Sequence, residues 1–474
     1  MANSTLDIPI PGAEINFDPQ TMQDAWSMHM VLQVHRGLFK FAPEGNVELD
    51  IAESFEESKD KKEMIVRLKD VSFGDGTKLK ASHVVNTFKR LFLIESSISA
   101  DLHGIIGAKE IKNAPNIAFG VSAIDHKTVR IQLAKPNVLL KVVMATPDCS
   151  ILKLDSPGKS VDPTIGLGAY NVSEQTDGKI VLKIKSKPNS RAPQVLVYRT
   201  GVKVLEDIQV NAVPDHYDLD SKKVDTLIAR GFRRTVSDAT RERFLMLNKE
   251  KFTAQERKSI SQAIDPKGLS TRIGNPNLIP AYGLIPFGLP GANLSKPLAA
   301  PLVKPAKIGN GYARKNSLRV TFPDTWKDGE LLASGILEQL RAHGIDGHLQ
   351  AASFADWMTC KKNGDYDILI NARGIDYPDP YAVLSYFKGG VSQNYLKQED
   401  TEIDDLLEKA LGEFDTEKRI HIYDQIEEKI LKLNVIVPLL FGASNSTLWP
   451  PAAKFVPAHP LGFHFLSLEN VEMN

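Results

Sequence analysis

The sequence is poor in cysteine, carries no net charge and lacks a long apolar run. Two cysteines, Cys149 and Cys360, occur among 474 residues, which is too few for a disulfide scaffold, and the sequence leaves open whether they are bonded. Lysine and arginine together number 58, as do aspartate and glutamate. Nucleic-acid binders usually carry a strongly basic domain or stripe, so we expect no nucleic-acid partner. The most apolar stretches, 138–145 and 435–442, are far shorter than the ~20 residues that span a bilayer.

Motifs of the common enzyme and metal sites are also missing. Neither HExxH nor GxSxG occurs. The tripeptide at 158–160 ends like a phosphate-binding loop, but Lys153 occupies the position of that loop's first glycine. Asp215, Asp218 and Asp220 are not spaced like the ligands of a calcium loop. We therefore expect a protein that is not an enzyme and that uses neither a metal ion nor a cofactor.

The composition is typical of a large globular protein. Hydrophobic residues make up 42% and charged residues 24% of the chain, and its 474 residues suggest about three folding units. The first residues lack the basic start and the apolar core of a signal peptide. We therefore expect either a cytoplasmic protein or a chain that begins at the mature end of a processed one.

Strand and helix patterns alternate along the chain, which predicts an α/β fold. Apolar residues alternate at 64, 66 and 68 as in a half-buried strand. They recur with helical spacing at 84–92, 403–411 and 418–433. Residues 368–370 form a fully apolar run, as in a strand of a sheet covered on both faces. Turn-rich stretches lie at 155–168 and 274–310, so we expect two lobes with at least one chain crossing between them.

A candidate recognition loop directly follows the apolar strand at 368–370. Residues 371–380 combine glycine and prolines with an arginine, two aspartates and a tyrosine, and ligand sites in α/β sheets lie beyond the carboxyl ends of strands. The alternative is purely structural: Asp379 caps a helix that starts near Pro380, and Arg373 pairs on the surface. The segment taken alone leaves both interpretations open.

Six segments in order make the chain resemble the family 5 extracellular solute-binding proteins, the peptide- and nickel-type receptors of bacterial ABC importers. The resemblance covers roughly residues 14–455, and the order and spacing of the segments make it specific. The matching segments are Asn16-Phe17-Asp18-Pro19, Arg36-Gly37-Leu38, Phe73-Gly74-Asp75-Gly76-Thr77 with Ala81 and Val84, Gly166-Leu167-Gly168-Ala169-Tyr170, Ser261-Gln262-Ala263-Ile264-Asp265 and Asp376-Tyr377-Pro378-Asp379-Pro380.

The resemblance implies an α/β, two-lobed periplasmic-binding-protein clamshell with an extra β-rich subdomain in the first lobe. Residues 1–45 and 155–270 would form the core of lobe I, and 46–154 the inserted subdomain. Lobe II would comprise 271–440, and 441–474 would return to lobe I.

The resemblance also implies which residues contact the ligand. In peptide-binding members the aspartate of the Asp-Tyr-x-Asp-Pro loop receives the α-amino group of the ligand, and it matches Asp376. The segment after Pro19 lines the family's cleft. The candidate ligand-binding residues are therefore Asp376, Arg373, Gly374, Ile375 and Tyr377 in the loop, with Met22, Gln23 and Trp26 near the amino terminus.

The loop departs from the family at the positions before Asp376. Members often carry Gly-Trp there, whereas this chain has Ala372 and Arg373, so a cation replaces an aromatic wall. The planar guanidinium of Arg373 suits a ligand carboxylate. Alternatively, Arg373 neutralises Asp376 internally, which would argue against an amine ligand.

The function implied is capture of a short peptide or similar small zwitterion outside the cytoplasm, for delivery to the membrane permease of an ABC importer. We expect a monomer that is periplasmic or extracellular and membrane-anchored, with its leader removed. Two alternatives remain: a receptor for a non-peptide solute such as a metal chelate, opine or sugar, and a sensory or regulatory binding subunit.

Overall fold

The computed structural model describes most of the chain, in two compact units. The first unit comprises Met1–Ser237 and Asn445–Asn474, and the second comprises Asp238–Ser444. The tripeptide at 158–160, Asp215, Asp218 and Asp220 lie outside the described residues, as does most of the turn-rich stretch at 274–310. The described ranges are 4–10, 15–114, 117–157, 162–185, 191–200, 221–236, 239–275, 277–292, 316–326, 328–390, 394–396, 399–443, 446–457 and 459–474.

Strands and helices alternate along much of the chain, as the sequence predicts for an α/β protein. The strands are β1 (Thr5–Ile10), β2 (Phe39–Phe41), β3 (Val47–Leu49), β4 (Ala52–Glu57), β5 (Glu63–Leu68), β6 (Val121–Ala123), β7 (Thr128–Gln132), β8 (Tyr170–Thr176), β9 (Lys179–Ile184), β10 (Val195–Thr200), β11 (Arg233–Val236), β12 (Ala239–Leu247), β13 (Leu278–Pro280), β14 (Leu318–Pro323), β15 (Gly347–Ala352), β16 (Ile368–Gly374), β17 (Ile436–Ala443), β18 (Ser446–Trp449), β19 (Ala453–Phe455) and β20 (Glu472–Met473). The helices are α1 (Ala25–Val34), α2 (Ala81–Leu93), α3 (Leu140–Met144), α4 (Ser221–Ala229), α5 (Ala254–Ala263), α6 (Pro266–Ile273), α7 (Gly329–Ala342), α8 (Phe354–Asn363), α9 (Tyr381–Leu384), α10 (Thr401–Leu411) and α11 (Thr416–Leu433).

The first unit is built around a four-stranded sheet in the order β1-β10-β9-β8. Strand β1 pairs with β10 in parallel, although about 190 positions separate them along the chain. Leu6 and Ile8 of β1 alternate into a core that also contains Leu196 and Tyr198 of β10. Trp449, from the returning carboxyl-terminal segment, joins the same core, so both ends of the chain stabilise this unit.

A second sheet in the first unit, in the order β4-β5-β7-β6, lies within the segment expected to be a β-rich subdomain. Met64, Val66 and Leu68 of β5 are buried, which confirms the strand predicted from their alternation. Helix α2 carries the apolar stripe Val84, Phe88 and Leu91, which is also buried. The two sheets share no strand pairing among the described residues.

The second unit contains a six-stranded sheet in the order β13-β17-β12-β16-β14-β15. Strands β14, β15 and β16 are parallel to one another, and β12 runs antiparallel to β16. Ile368, Leu369 and Ile370 of β16 are completely buried, so the prediction of a strand covered on both faces is confirmed. The β16 strand ends at Gly374, where the candidate loop begins.

The division between the units differs from the expected lobe boundaries. The second unit begins at 238 and ends at 444, whereas the sequence placed 155–270 in lobe I and ended lobe II at 440. Strand β12 accounts for the larger difference, because it pairs with both β16 and β17 inside the second unit's sheet. Chain order alone does not reveal which sheet an apolar strand joins.

Three further observations bear on the expectations drawn from composition and motifs. Both cysteines, Cys149 and Cys360, are free thiols, which answers the question of bonding that the sequence left open. Within the described ranges, no helix combines the length and apolarity needed to cross a membrane, and no three His, Cys, Asp or Glu side chains group as metal ligands.

Candidate functional site

The candidate loop leaves the carboxyl end of β16 and is held by buried side chains on either side of Asp376. Ile375 and Tyr377 are 5% and 1% exposed, so both point into the second unit and anchor the backbone. Gly374 is exposed, and a Cβ added there would meet no atom within 4 Å, so its backbone is open. The loop therefore presents Gly374 and Asp376 outward while its two apolar residues face inward.

Asp376 is an exposed acid that has no protein partner among the described residues. No hydrogen bond or ion pair joins its carboxyl group to any side chain described in the structure. Protein atoms surround the group closely enough to remove part of its hydration, and this desolvation raises the pKa of Asp376 to about 6. Asp376 is thus accessible to a solute and lacks the counter-charge that would stabilise its ionised form.

The second acid of the loop, Asp379, is fully engaged by the protein. Its Oδ1 accepts hydrogen bonds from the Tyr381 backbone N–H at 2.9 Å and from the Tyr423 hydroxyl at 2.7 Å. The Arg419 guanidinium lies 3.9 Å from Oδ2. Asp379 therefore ties the start of α9 to α11. Its bond to the Tyr381 N–H agrees in part with the structural interpretation, since Pro380, not Asp379, is the N-cap residue of α9.

Arg373 forms a buried ion pair with Glu242. Its Nε and Nη2 lie 2.8 and 2.7 Å from Glu242 Oε2, and its Nη1 donates to the Val383 carbonyl at 3.1 Å. The guanidinium also stacks over the rings of Phe244 and Tyr386, at 5.2 and 5.1 Å from their centroids. The structure thus places Arg373 on Glu242, not on Asp376, and the pair is buried instead of lying on the surface.

Glu242 lies beside a second buried acid, Glu427 of α11. Burial raises the pKa of Glu242, while the bonded Arg373 guanidinium opposes this rise and favours the ionised carboxylate. Glu427 Oε1 accepts hydrogen bonds from the backbone N–H groups of Leu284 and Ile285, at 2.5 and 3.0 Å. Burial and the charge of Glu242 raise the pKa of Glu427 to about 7. Two buried acids therefore lie close enough to interact, and Arg373 pairs with Glu242.

Sequence reasoning does not find Glu242, which lies 131 positions before Arg373. One signal was available: Arg241, Glu242 and Arg243 stand directly before the apolar run 244–247. Three consecutive charges at the start of a buried strand need partners, because an unpaired buried charge is costly. Arg243 meets this need through Asp328, at 2.6 Å.

The three amino-terminal candidates belong to the first unit and differ in exposure. Gln23 is exposed, Trp26 is half-buried and Met22 is buried. Asp24 caps α1 by accepting the backbone N–H groups of Trp26 and Ser27. Trp26 then packs edge-on against His464, with ring centroids 4.8 Å apart. This leaves Gln23 and part of the Trp26 ring available to a solute.

Comparison with known proteins agrees with the resemblance read from the motifs. The family model described as "Bacterial extracellular solute-binding proteins, family 5 Middle" matches residues 46–395. The "Probable D,D-dipeptide-binding periplasmic protein DdpA" of Escherichia coli K12 is 25% identical over 453 residues, covering 87% of this chain and 85% of that protein.

Solved structures show the same two-lobed periplasmic-binding-protein fold. The Escherichia coli murein tripeptide binding protein MppA has a TM-score of 0.84 at 19% identity, covering 100% of this chain and 99% of that one. The binding protein AgaA from A.tumefacien R10, in complex with agropinic acid, has a TM-score of 0.80 at 22% identity and covers 99% of both chains. The predicted fold class is therefore confirmed, and the chain belongs to the family 5 bacterial extracellular solute-binding proteins.

Proposed function

We propose that this protein captures a short peptide through the peptide's free α-amino group and passes it unaltered to an ABC importer. The observation that carries the proposal is Asp376, an accessible carboxyl group without a partner among the described residues. Its pKa is raised to about 6, so a nearby cation would stabilise its ionised form. The α-ammonium of a peptide supplies such a cation.

The neighbouring residues support an amine ligand over an anionic one. Arg373 is engaged by Glu242 and by the Val383 carbonyl, so it is not available to a ligand carboxylate. Asp379 is engaged by Tyr381 and Tyr423. Asp376 is therefore the charged side chain of the loop that is not already paired within the described residues. Its negative charge favours a ligand that carries a positive group.

The names of the relatives support a peptide as the molecule that carries this amine. They include the D,D-dipeptide-binding protein above and the "Periplasmic oligopeptide-binding protein OppA" of Escherichia coli K12, which is 20% identical over 494 residues. A peptide also offers backbone N–H and C=O groups that a receptor can read independently of the side chains. Opines and other small amines would share the Asp376 contact but lack a regular peptide backbone.

We further propose the cellular setting that the family implies. The receptor acts in the periplasm or anchored at the outer face of the membrane, as a monomer, and its partner is the permease of an ABC importer. Met22, Gln23 and Trp26 are the candidate ligand contacts of the first unit, and Asp376 is the candidate of the second unit. Ligand stabilises one conformation of the receptor by its higher affinity for that state.

Calorimetry with defined ligands tests the proposal. L-Ala-L-Ala and D-Ala-D-Ala are compared with their N-acetyl forms, which lack the ammonium, on the wild type and on Asp376→Asn. Removing either partner of the pair should cost about 2–5 kcal/mol of binding free energy. Asp405→Asn removes an exposed carboxylate from α10 and should leave the affinity unchanged.

Two results would contradict the proposal. Equal affinity for the acetylated and free dipeptides would remove the amine from recognition. Tight binding of agropinic acid with no binding of either dipeptide would replace the peptide with a non-peptide solute.

A further inference from the structure

We propose that Glu242 is a specificity-determining residue, because it holds Arg373 away from Asp376 and so keeps Asp376 free for a ligand ammonium. The proposal rests on the proposed function, in which Asp376 receives the amine. No hydrogen bond or ion pair joins Glu242 to Asp376 among the described residues. It acts through Arg373, and it is therefore a positioning residue.

Strand register brings Glu242 and Arg373 together. They are cross-strand partners in the antiparallel pairing of β12 with β16, and paired residues project from the same face of a sheet. The backbone pairing therefore places Arg373 opposite Glu242 whichever rotamers the two side chains adopt. Val383 and the rings of Phe244 and Tyr386 then enclose the guanidinium on its remaining sides.

Arg373 has one other candidate partner close by in sequence. Asp376 follows it by three residues and is unpaired among the described residues, whereas Asp379 is already bonded to Tyr381 and Tyr423. If Glu242 lost its charge, the buried guanidinium would keep only neutral acceptors. A buried charge without a counter-ion is strongly unfavourable, so Arg373 would be drawn to the Asp376 carboxylate.

The exchange of partners would reverse the preference of the site. An Arg373–Asp376 pair would supply the counter-charge that a ligand ammonium otherwise provides, so an amine ligand would have to displace the arginine. The same pair would present a guanidinium to the ligand, and guanidinium groups suit carboxylates. Glu242 thereby selects amine-bearing ligands over ligands that carry only an acid.

Glu427 provides a matched control in the same buried cluster. It is a carboxylate that interacts with Glu242, but its hydrogen bonds go to the Leu284 and Ile285 amides and not to Arg373. Glu427→Gln therefore changes the charge of the cluster while leaving the Glu242–Arg373 pair in place. It separates the partner-exchange effect from a general effect of charge or burial.

The first measurement follows the Asp376 carboxyl group without any ligand, by NMR titration of carbon-13-labelled aspartate. The Asp376 signal is assigned by its loss in Asp376→Asn. In the wild type it should titrate near pH 6, in Glu242→Gln its midpoint should fall by at least one pH unit, and in Glu427→Gln it should stay near that of the wild type. An unchanged midpoint in folded Glu242→Gln would overturn the proposal.

The second measurement is the affinity for L-Ala-L-Ala, D-Ala-D-Ala and their N-acetyl forms. Glu242→Gln should bind the better of the two free dipeptides at least tenfold more weakly and should discriminate less against its acetyl form. The double variant Glu242→Gln with Arg373→Gln should regain most of the lost affinity, because Asp376 is then unpaired again. A double variant as weak as the single one would show a purely structural role and would overturn the proposal.

Glu242→Asp keeps the proposal testable if Glu242→Gln does not fold. This variant keeps the charge but moves it away from Arg373 by one methylene group. The Asp376 midpoint and the dipeptide affinity should therefore both fall, by less than in Glu242→Gln. No change in either quantity would overturn the proposal. Failure of the proposed function is distinguishable, because the ligand-free titration of Asp376 responds to Arg373 whether or not any dipeptide binds.

Discussion

The Tyr423 hydroxyl donates a 2.7 Å hydrogen bond to Asp379 Oδ1, and this contact ties the candidate loop to α11. Both residues are buried, and the same oxygen accepts the Tyr381 backbone N–H. The backbone after Asp376 is therefore fixed to a long helix. The contact explains how an accessible acid can sit on a loop and still have a defined position.

Tyr423→Phe should destabilise the protein, because it removes a donor from a buried carboxylate and leaves Asp379 with fewer partners. The expected loss is about 1–3 kcal/mol of unfolding free energy, measured by urea denaturation. Tyr282→Phe is the control: it removes the hydroxyl of a half-buried tyrosine and should change stability by less than about 0.5 kcal/mol. Equal stability of the Tyr423→Phe variant and the wild type would show that the contact does not hold the loop.

The affinity for an amine ligand should depend on pH through Asp376. An ammonium binds the ionised carboxylate, whose pKa is about 6, so affinity is full above pH 6 and falls as the pH drops below it. The loss should approach tenfold for each pH unit. Calorimetry with the better-bound dipeptide between pH 4.5 and 7.5 measures this, since the α-amino group, whose pKa is about 7.7–8.0, stays mostly protonated over this range.

Asp376→Asn is the control for the pH profile. Its affinity should be low and nearly constant over the same range, because the titrating group is gone. A wild-type profile that is flat through pH 6 would show that Asp376 does not receive the amine.

Glu427 should make stability fall as the pH rises. Its pKa in the folded protein is about 7, above the ordinary 4.5, so the folded state binds more protons than the unfolded state between these values. The stabilisation is complete below pH 4.5 and is lost as the pH rises through 7, by up to about 3 kcal/mol. Glu427→Gln should remove this loss.

The measurement compares wild type with Glu427→Gln in urea denaturation at pH 5 and pH 7.5. The difference between the two proteins isolates Glu427, because buried histidines such as His35, whose pKa is lowered to about 4, titrate in both. Glu256→Gln changes another buried glutamate, one that caps α5, and it should not reproduce the effect. Parallel pH curves for wild type and Glu427→Gln would count against a proton retained by Glu427.

Gly168→Ala should destabilise the first unit through a clash with the end of α1. A Cβ at Gly168 would lie 2.4 Å from the Gln33 carbonyl oxygen. A backbone atom cannot move aside as the end of a flexible side chain can, so the clash would strain the local structure. The expected cost is at least about 1–3 kcal/mol, measured by thermal or urea unfolding. Gly104→Ala, where an added Cβ meets nothing within 4 Å, is the matched control and should be tolerated.

The same close approach gives a physical reason for one motif that identified the family. The Gly168 backbone N–H donates to the Val34 carbonyl at 2.6 Å, so the segment 166–170 packs directly on the carboxyl end of α1. Such a contact needs a residue without a side chain, and this need is visible in the sequence as a glycine.

Local patterns predicted individual elements well. The alternation at 64, 66 and 68 is β5, the apolar run at 368–370 is the buried centre of β16, and the helical spacing at 403–411 and 418–433 is α10 and α11. Each of these depends on neighbours within a few residues, where hydrophobic periodicity reports directly which face is buried. The position of the candidate loop was predicted in the same way, from a polar segment directly after an apolar strand, whereas the choice of Asp376 as a ligand contact came from the family resemblance and stays a prediction.

The amino-acid sequence by itself determined the fold family, the position of the loop and the presence of Asp376 in it, because each depends on short contiguous segments whose order along the chain is specific. The tertiary structure decided where the second unit begins and which acid pairs with Arg373. Both depend on β12 joining β16, a pairing between segments more than 120 positions apart. No local pattern encodes such a register, because it is set by the packing of the whole sheet.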